Sequence, residues 1–246
     1  MFAYITCMMS HSMHTLNTGD ILLYNTTKYW YSRLIERFTS SDYSHVSMVL
    51  HRPTWLDPAL TEEEYYVLES GSECFPDAVS GDFKFGVQVC PMSKVWAEYA
   101  SQGYGHLYVR RIRFLDSNAA ERLVDGIKAA YQKANSCPYD LNPCDWIKCY
   151  FDESKSLPQI EATGQHDQKT TSFWCSALIS FVLVVAGFLD KAVPWTVITP
   201  YDFSAFCKPQ RLAFQGCAYD ADTMLCWLRM WLVALFITKP QNKLKI

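Results

Sequence analysis

The sequence is poor in charge and has no excess of either sign. Only 19% of its 246 residues are charged, and the formal net charge is −3. Aromatic residues make up 15% of the chain, whereas a disordered chain would be rich in charge and poor in aromatics. A surplus of basic residues would indicate nucleic-acid binding, and the chain has none, so we expect no nucleic-acid partner. The composition predicts one large or two small globular domains with a sizeable core.

The sequence motifs of several large enzyme classes are missing. The chain contains no GxSxG, Walker A, HExxH or GxGxxG pattern, and no CxxC pair. The residues best suited to bind zinc have irregular spacing: Cys137, Cys144, Cys149 and His166. Because structural zinc sites have regular ligand spacing, we expect no metal and no cofactor.

Cysteine, by contrast, is plentiful. Ten cysteines run from Cys7 to Cys226, and the first residues show neither the basic region nor the small-residue cleavage site of a secretory signal. We therefore expect reduced thiols and a cytoplasmic location. Most of these thiols are then expected to be small buried packing groups.

Two uncharged or nearly uncharged stretches raise the question of a membrane. Residues 173–189 form a 17-residue stretch without charge, and a span needs about 20 apolar residues. Because Ser176 and Ser180 lie inside it, we predict a buried core helix. Residues 225–237 are shorter and contain Arg229. They are compatible with a core helix, an interfacial helix or a docking surface for a protein assembly or a membrane.

Hydrophobic periodicity predicts strands in the first half of the chain and helices in the second. The predicted strands are residues 19–24, 45–50, 64–70, 84–90 and 106–114, with one helix at 28–38. Predicted helices follow at 116–135, 173–189 and 201–207, separated by irregular segments at 136–151 and 153–171. This order predicts an α+β fold with an antiparallel sheet.

Polar residues at three of these boundaries are candidate helix caps. Asp116 or Ser117 precedes the first of the later helices, and Asp202 begins the last. The candidates before the apolar helix are Thr170, Thr171 and Ser172.

One cysteine has the placement that a nucleophile needs. Cys175 lies in the first turn of the predicted apolar helix, where the helix dipole favours a thiolate. His45 begins one predicted strand and Glu69 ends the next. If the two strands form an antiparallel hairpin, these side chains become neighbours on one face, opposite the alternate hydrophobic residues. A thiol activated by an imidazole, which a carboxylate in turn orients, is a Cys-His-Glu site.

Each of these residues also has a structural interpretation. A cysteine in an apolar helix usually packs in the core, a histidine at a strand end is often a surface residue, and Glu69 is compatible with a solvent-facing position. The order and combination of the residues, rather than any one of them, favours chemistry.

Six short segments carry a resemblance to a known family. In chain order they are TGDILLY (18–24), DYSHVSMVL (42–50), YYVLES (65–70), PYD (138–140), FWCSALIS (173–180) and TPYDF (199–203). The sequence resembles the circularly permuted branch of the papain-like NlpC/p60 superfamily. That branch includes YiiX-like proteins, proteins of large DNA viruses and the lecithin retinol acyltransferase group. The resemblance implies a permuted papain-like domain at 17–208, an N-terminal extension at 1–16 and an apolar tail helix at 209–246.

The resemblance also implies roles for individual residues. Cys175 would be the nucleophile, His45 the general base and Glu69 the orienting acid, with Asp42 competing for that last role. Tyr139 and Asp140 would shape the substrate pocket.

Such a protein would be a thiol hydrolase, peptidase-like, or an acyltransferase that cleaves an amide, ester or thioester of an acyl or peptide substrate. Two alternatives stay open. One is a structural or interaction component, for example of a large DNA virus particle. The other is a peripheral membrane enzyme that modifies lipids.

Overall fold

The computed structural model describes residues 16–25, 43–71, 75–101, 106–140, 171–208 and 210–224. The predicted helix at 28–38, the loop at 153–170, the apolar stretch at 225–237 and residue Asp42 lie outside the described residues.

An antiparallel sheet of six strands forms the centre of the fold, in the order β4-β3-β2-β1-β5-β8. A separate pair, β6-β7, is also antiparallel. The strands are β1 (Ile21–Asn25), β2 (His45–His51), β3 (Tyr65–Gly71), β4 (Gly86–Pro91), β5 (His106–Arg110), β6 (Ile112–Phe114), β7 (Cys217–Tyr219) and β8 (Thr223–Met224). The predicted α+β class with an antiparallel sheet is confirmed.

Three α-helices lie among the described residues: α1 (Met92–Ser101), α2 (Ala119–Ala134) and α3 (Cys175–Val185). Short 3-10 turns occupy Pro53–Trp55, Trp195–Val197 and Pro200–Phe203. Helices α2 and α3 pack together, and their apolar residues share one core cluster with Val46, Met48 and Leu50 of β2. The opposite face of the sheet, with Val49 and Val67, packs against α1.

The apolar stretch at 173–189 contains the core helix α3, as predicted. All residues of α3 from Cys175 to Val184 are buried, so this helix forms the centre of the larger cluster. Among the described residues, no helix combines the length and the apolar character that a bilayer crossing requires.

The structure corrects several local predictions. The strand predicted at 106–114 is two strands, because the chain leaves the main sheet at Arg111 and Ile112 starts the separate pair. The buried Asp20 carboxylate fixes this break by accepting a hydrogen bond from the Ile112 amide at 2.8 Å. Helix α1 had no counterpart among the predicted elements.

The predicted helix at 201–207 is only the 3-10 turn Pro200–Phe203, because the backbone becomes extended at Ser204. Thr199 occupies the N-cap, and Asp202 is the third residue of the turn rather than its cap. At α2 the N-cap position is Asn118 rather than Asp116 or Ser117, although Asp116 accepts a hydrogen bond from the Asn118 amide at 3.1 Å.

Residues 210–224 join the rest of the fold through two strands. β7 pairs with β6, and β8 extends the main sheet beside β5. The boundary predicted between 208 and 209 stays a prediction, as do the extension at 1–16 and the tail helix.

Candidate active site

The β2–β3 hairpin brings His45 and Glu69 together. Met48 pairs with Leu68 and Val49 with Val67, so the beginning of β2 lies beside the end of β3. His45 Nε2 lies 2.8 Å from Glu69 Oε2. Both residues follow the alternation of the face that carries Val49 and Val67. This is the arrangement that antiparallel pairing of the two predicted strands required.

The Glu69 carboxylate is fully buried and has donors on both oxygens. His45 is the partner of Oε2, whereas Oε1 accepts hydrogen bonds from Gln88 Nε2 at 3.2 Å and from Cys90 Sγ at 3.6 Å. Gln88 is directly opposite Glu69 in the β3–β4 register. A buried carboxylate is costly unless hydrogen bonds replace water, and this one is well supplied.

Two further residues shape the surroundings of the imidazole. Tyr24 pairs with His45 across β1 and β2, and their ring centroids are 5.0 Å apart in an edge-on arrangement. The Tyr24 hydroxyl is 2.8 Å from Ser47 Oγ, which fixes the tyrosine ring. On the other side, Gly71 lies beside the ring, and a Cβ placed on it would make an ordinary van der Waals contact with His45 Cε1, at 3.5 Å.

Cys175 is the first residue of α3. Trp174 occupies the N-cap position, and its side chain makes no capping hydrogen bond. Thr171 and Ser172 are therefore not caps, because the chain at Phe173 is extended and bridges to Tyr139; Thr170 lies outside the described residues. An uncapped helix start leaves backbone N–H groups of the first turn free to interact with an anion.

The electrostatics of His45 tie the imidazole to the thiol. Burial by itself would lower the pKa of His45, but a hydrogen bond and the charge of Cys175, together with those of Glu69, raise the pKa well above its ordinary value. Because Nε2 is occupied by Glu69, Nδ1 is the ring nitrogen left to face the thiol. A raised pKa favours the imidazolium, the form that pairs with a thiolate.

Other described cysteines have a different environment. Burial raises the pKa of Cys207 and of Cys217 to about 11, and it also raises the pKa of the half-buried Cys137. All five described cysteines, these three with Cys90 and Cys175, are free thiols. Cys207 and Cys217 are buried as expected for packing residues. Cys7, Cys74, Cys144, Cys149 and Cys226 lie outside the described residues.

The PYD segment runs beside the start of the Cys175 helix. The amide of Phe173 donates to the Pro138 carbonyl at 3.1 Å, and the amide of Asp140 donates to the Phe173 carbonyl at 3.3 Å. Tyr139 is buried and stacks on Phe85, with ring centroids 4.9 Å apart. The pocket-shaping role of Tyr139 and Asp140 stays a prediction.

The TPYDF segment holds the other side of the same helix start. Ser176 Oγ donates to the Ile198 carbonyl at 2.6 Å, directly before the Thr199–Asp202 capping box. Ser70 Oγ, next to Glu69, donates to the Phe173 carbonyl at 2.6 Å. The first turn of α3 is therefore fixed to the strand that carries the acid and to the turn that follows the helix.

The structure brings together the three predicted site residues His45, Glu69 and Cys175. Four residues that were not predicted surround them: Tyr24, Gly71, Gln88 and Cys90. Gln88 carried a usable signal, because a polar residue between Val87 and Val89 in a predicted buried strand indicates a polar partner on the neighbouring strand.

Comparison with solved structures gives a distant likeness. No protein-family model and no curated protein matches the chain. A solved structure that matches is the metalloprotein YiiX (DUF1105) from Escherichia coli O157:H7. The two chains are 17% identical; the match covers 85% of this chain and 98% of the YiiX chain, with a TM-score of 0.44. A likeness of this degree assigns neither a family nor an activity to the chain.

Proposed function

We propose that this protein is a cysteine hydrolase or acyltransferase with a permuted papain-like fold, and that it cleaves an amide, ester or thioester. The observation that carries the proposal is the buried His45–Glu69 pair, coupled to a thiol at the uncapped start of α3. Histidine beside both a thiol and an orienting carboxylate is the arrangement that activates a cysteine nucleophile.

The first step forms an acyl-enzyme. His45 Nδ1 takes the thiol proton of Cys175, and the thiolate attacks the substrate carbonyl carbon. A carbon–sulfur bond forms, and the carbonyl π electrons move onto the oxygen. Glu69 stabilises the imidazolium through Nε2–H. Collapse of the intermediate expels the leaving group, which takes a proton from His45.

The backbone N–H groups at the start of α3 donate hydrogen bonds to the oxyanion as it forms. The amide of Cys175 lies next to its own sulfur, so an oxygen on the attacked carbon is within reach of the helix N-terminus. In the second step His45 deprotonates water or another acceptor. The acceptor then attacks the thioester, the carbon–sulfur bond breaks and the thiol is restored.

Acylation by an activated ester tests the proposal. p-Nitrophenyl acetate at neutral pH, read by peptide mass mapping, should acetylate Cys175 faster than any other thiol. Cys137 is half-buried and burial raises its pKa, so it is the reference site in the same molecule.

We expect the fast site to vanish in Cys175→Ala and to slow about a hundredfold in His45→Ala, since general acid–base catalysis contributes about 10²–10⁴-fold. Cys217→Ala is the matched control and should leave the fast site unchanged. Slow, uniform acetylation of Cys175 and Cys137 would reject the enzyme and favour a structural or interaction role.

A further inference from the structure

Gln88 is a buried amide in the middle of β4, and the proposed chemistry assigns it nothing. It is fully buried and lies opposite Glu69 in the β3–β4 register. Burying an uncharged polar side chain costs folding free energy unless the side chain makes hydrogen bonds. Its one hydrogen bond among the described side chains goes to Glu69.

Gln88 and His45 hold opposite oxygens of the same carboxylate. The amide Nε2 donates to Glu69 Oε1 at 3.2 Å, while His45 Nε2 lies 2.8 Å from Oε2. A carboxylate held at both oxygens cannot rotate without losing one partner. The Cys90 thiol is a weaker second donor to Oε1, at 3.6 Å.

The other end of the Gln88 amide shows what sets its orientation. Gln88 Oε1 is buried and has no hydrogen-bond partner among the described residues. Turning the amide over would place this oxygen against Glu69 Oε1 and would remove the hydrogen bond that Nε2 donates. The hydrogen bond to Glu69 is therefore the contact that sets the orientation of the amide.

We propose that Gln88 is a positioning residue that holds the Glu69 carboxylate turned toward His45. This inference rests on the proposed function and adds a residue that acts on the nucleophile only through Glu69 and His45. Replacing the donor should weaken the support that Glu69 gives to the His45 imidazolium. Among the described residues, the titratable groups facing the pair are Cys175 from α3, Cys90 from β4 and Tyr24 from β1.

The test compares two replacements of similar size, of which only one should lower the pKa of His45. Gln88→Met fills the space but donates no hydrogen bond. We expect the pKa of His45, followed by NMR titration of the imidazole in the full chain, to fall by about one unit. Gln88→Glu donates when protonated and adds negative charge when ionised, so the pKa of His45 should stay the same or rise. Cys90→Ala removes only the weaker donor and should cause a smaller fall.

The outcomes separate this inference from the proposed function. An unchanged pKa of His45 in Gln88→Met, or equal falls in the Met and Glu variants, would overturn the role of Gln88, because packing alone would then explain the data. If Gln88→Met does not fold, the other two variants still test the inference. A fall of the His45 pKa in Gln88→Glu, or an unchanged His45 pKa in Cys90→Ala, would contradict it. Failure of the proposed function would appear separately, as slow acetylation of Cys175 in the wild-type protein.

Discussion

The β2–β3 hairpin carries two histidine–glutamate pairs, one at each end, and they differ in almost everything except residue type. His45 and Glu69 are 2.8 Å apart, with side chains 14% and 0% exposed. His51 and Glu64 are 3.2 Å apart and are 34% and 35% exposed. Glu64 is shared with the exposed Arg52 at 2.8 Å. The same two residue types therefore make a largely buried pair at one end and a solvated charge cluster at the other.

Each histidine also has a tyrosine neighbour. The ring of Tyr24 lies edge-on to His45, and that of Tyr65 stacks on His51, both with centroids 5.0 Å apart. The differences that remain are burial, the hydrogen bonds to the second carboxylate oxygen, and the thiol at a helix start. A His–Glu pair alone therefore does not define an active site, and the proposal for His45 depends on these three additional features.

The largest difference is expected when each carboxylate is made neutral. Glu69→Gln should slow acetylation of Cys175 about a hundredfold, or about 2.7 kcal/mol in activation free energy, because the imidazolium loses its counter-ion. Glu64→Gln is the matched control on the same hairpin, and its acetylation rate should equal that of the wild type. Equal slowing of Cys175 acetylation in the two variants would mean that the two His–Glu pairs do not differ in function.

A smaller difference is expected for the two tyrosines. Tyr24→Leu removes the ring edge that holds His45, and aromatic pairs contribute about 0.5–1.5 kcal/mol. The acetylation rate of Cys175 should therefore fall about two- to tenfold, while thermal unfolding reports any loss of stability separately. Tyr65→Leu, which removes the ring stacked on His51, should leave the rate unchanged. A larger effect from Tyr65 than from Tyr24 would contradict the assignment of His45.

Local patterns were sufficient for the elements that bring the site together. Alternation located β2 and β3, and antiparallel pairing then made neighbours of His45 and Glu69. Helical spacing located α2, and the uncharged stretch located α3. These features depend on residues close in sequence, so a single chain reveals them.

Features that depend on long-range register were not predictable in the same way. Gln88 meets Glu69 only because β4 pairs with β3 at one particular offset. The break between β5 and β6 depends on Asp20, which lies 92 residues away from Ile112. The start of α3 depends on pairing of Phe173 with Tyr139, which overrides the capping residues before it.

The imidazole of His45 provides the most direct test, because its ionisation reports both partners. Burial alone would lower its pKa, so a raised value requires Cys175 and Glu69 in place. The imidazolium of His45 should accordingly persist to a higher pH than that of an ordinary histidine, and it should be lost as the pH rises through the raised pKa. NMR titration of the wild type and of Cys175→Ala measures this, with the His51 titration curve as the internal reference. We expect the pKa of His45 to lie above its ordinary value in the wild type and to fall when Cys175 is removed. The same pKa in both proteins would show that the thiol and the imidazole are not coupled, and would contradict the proposed site.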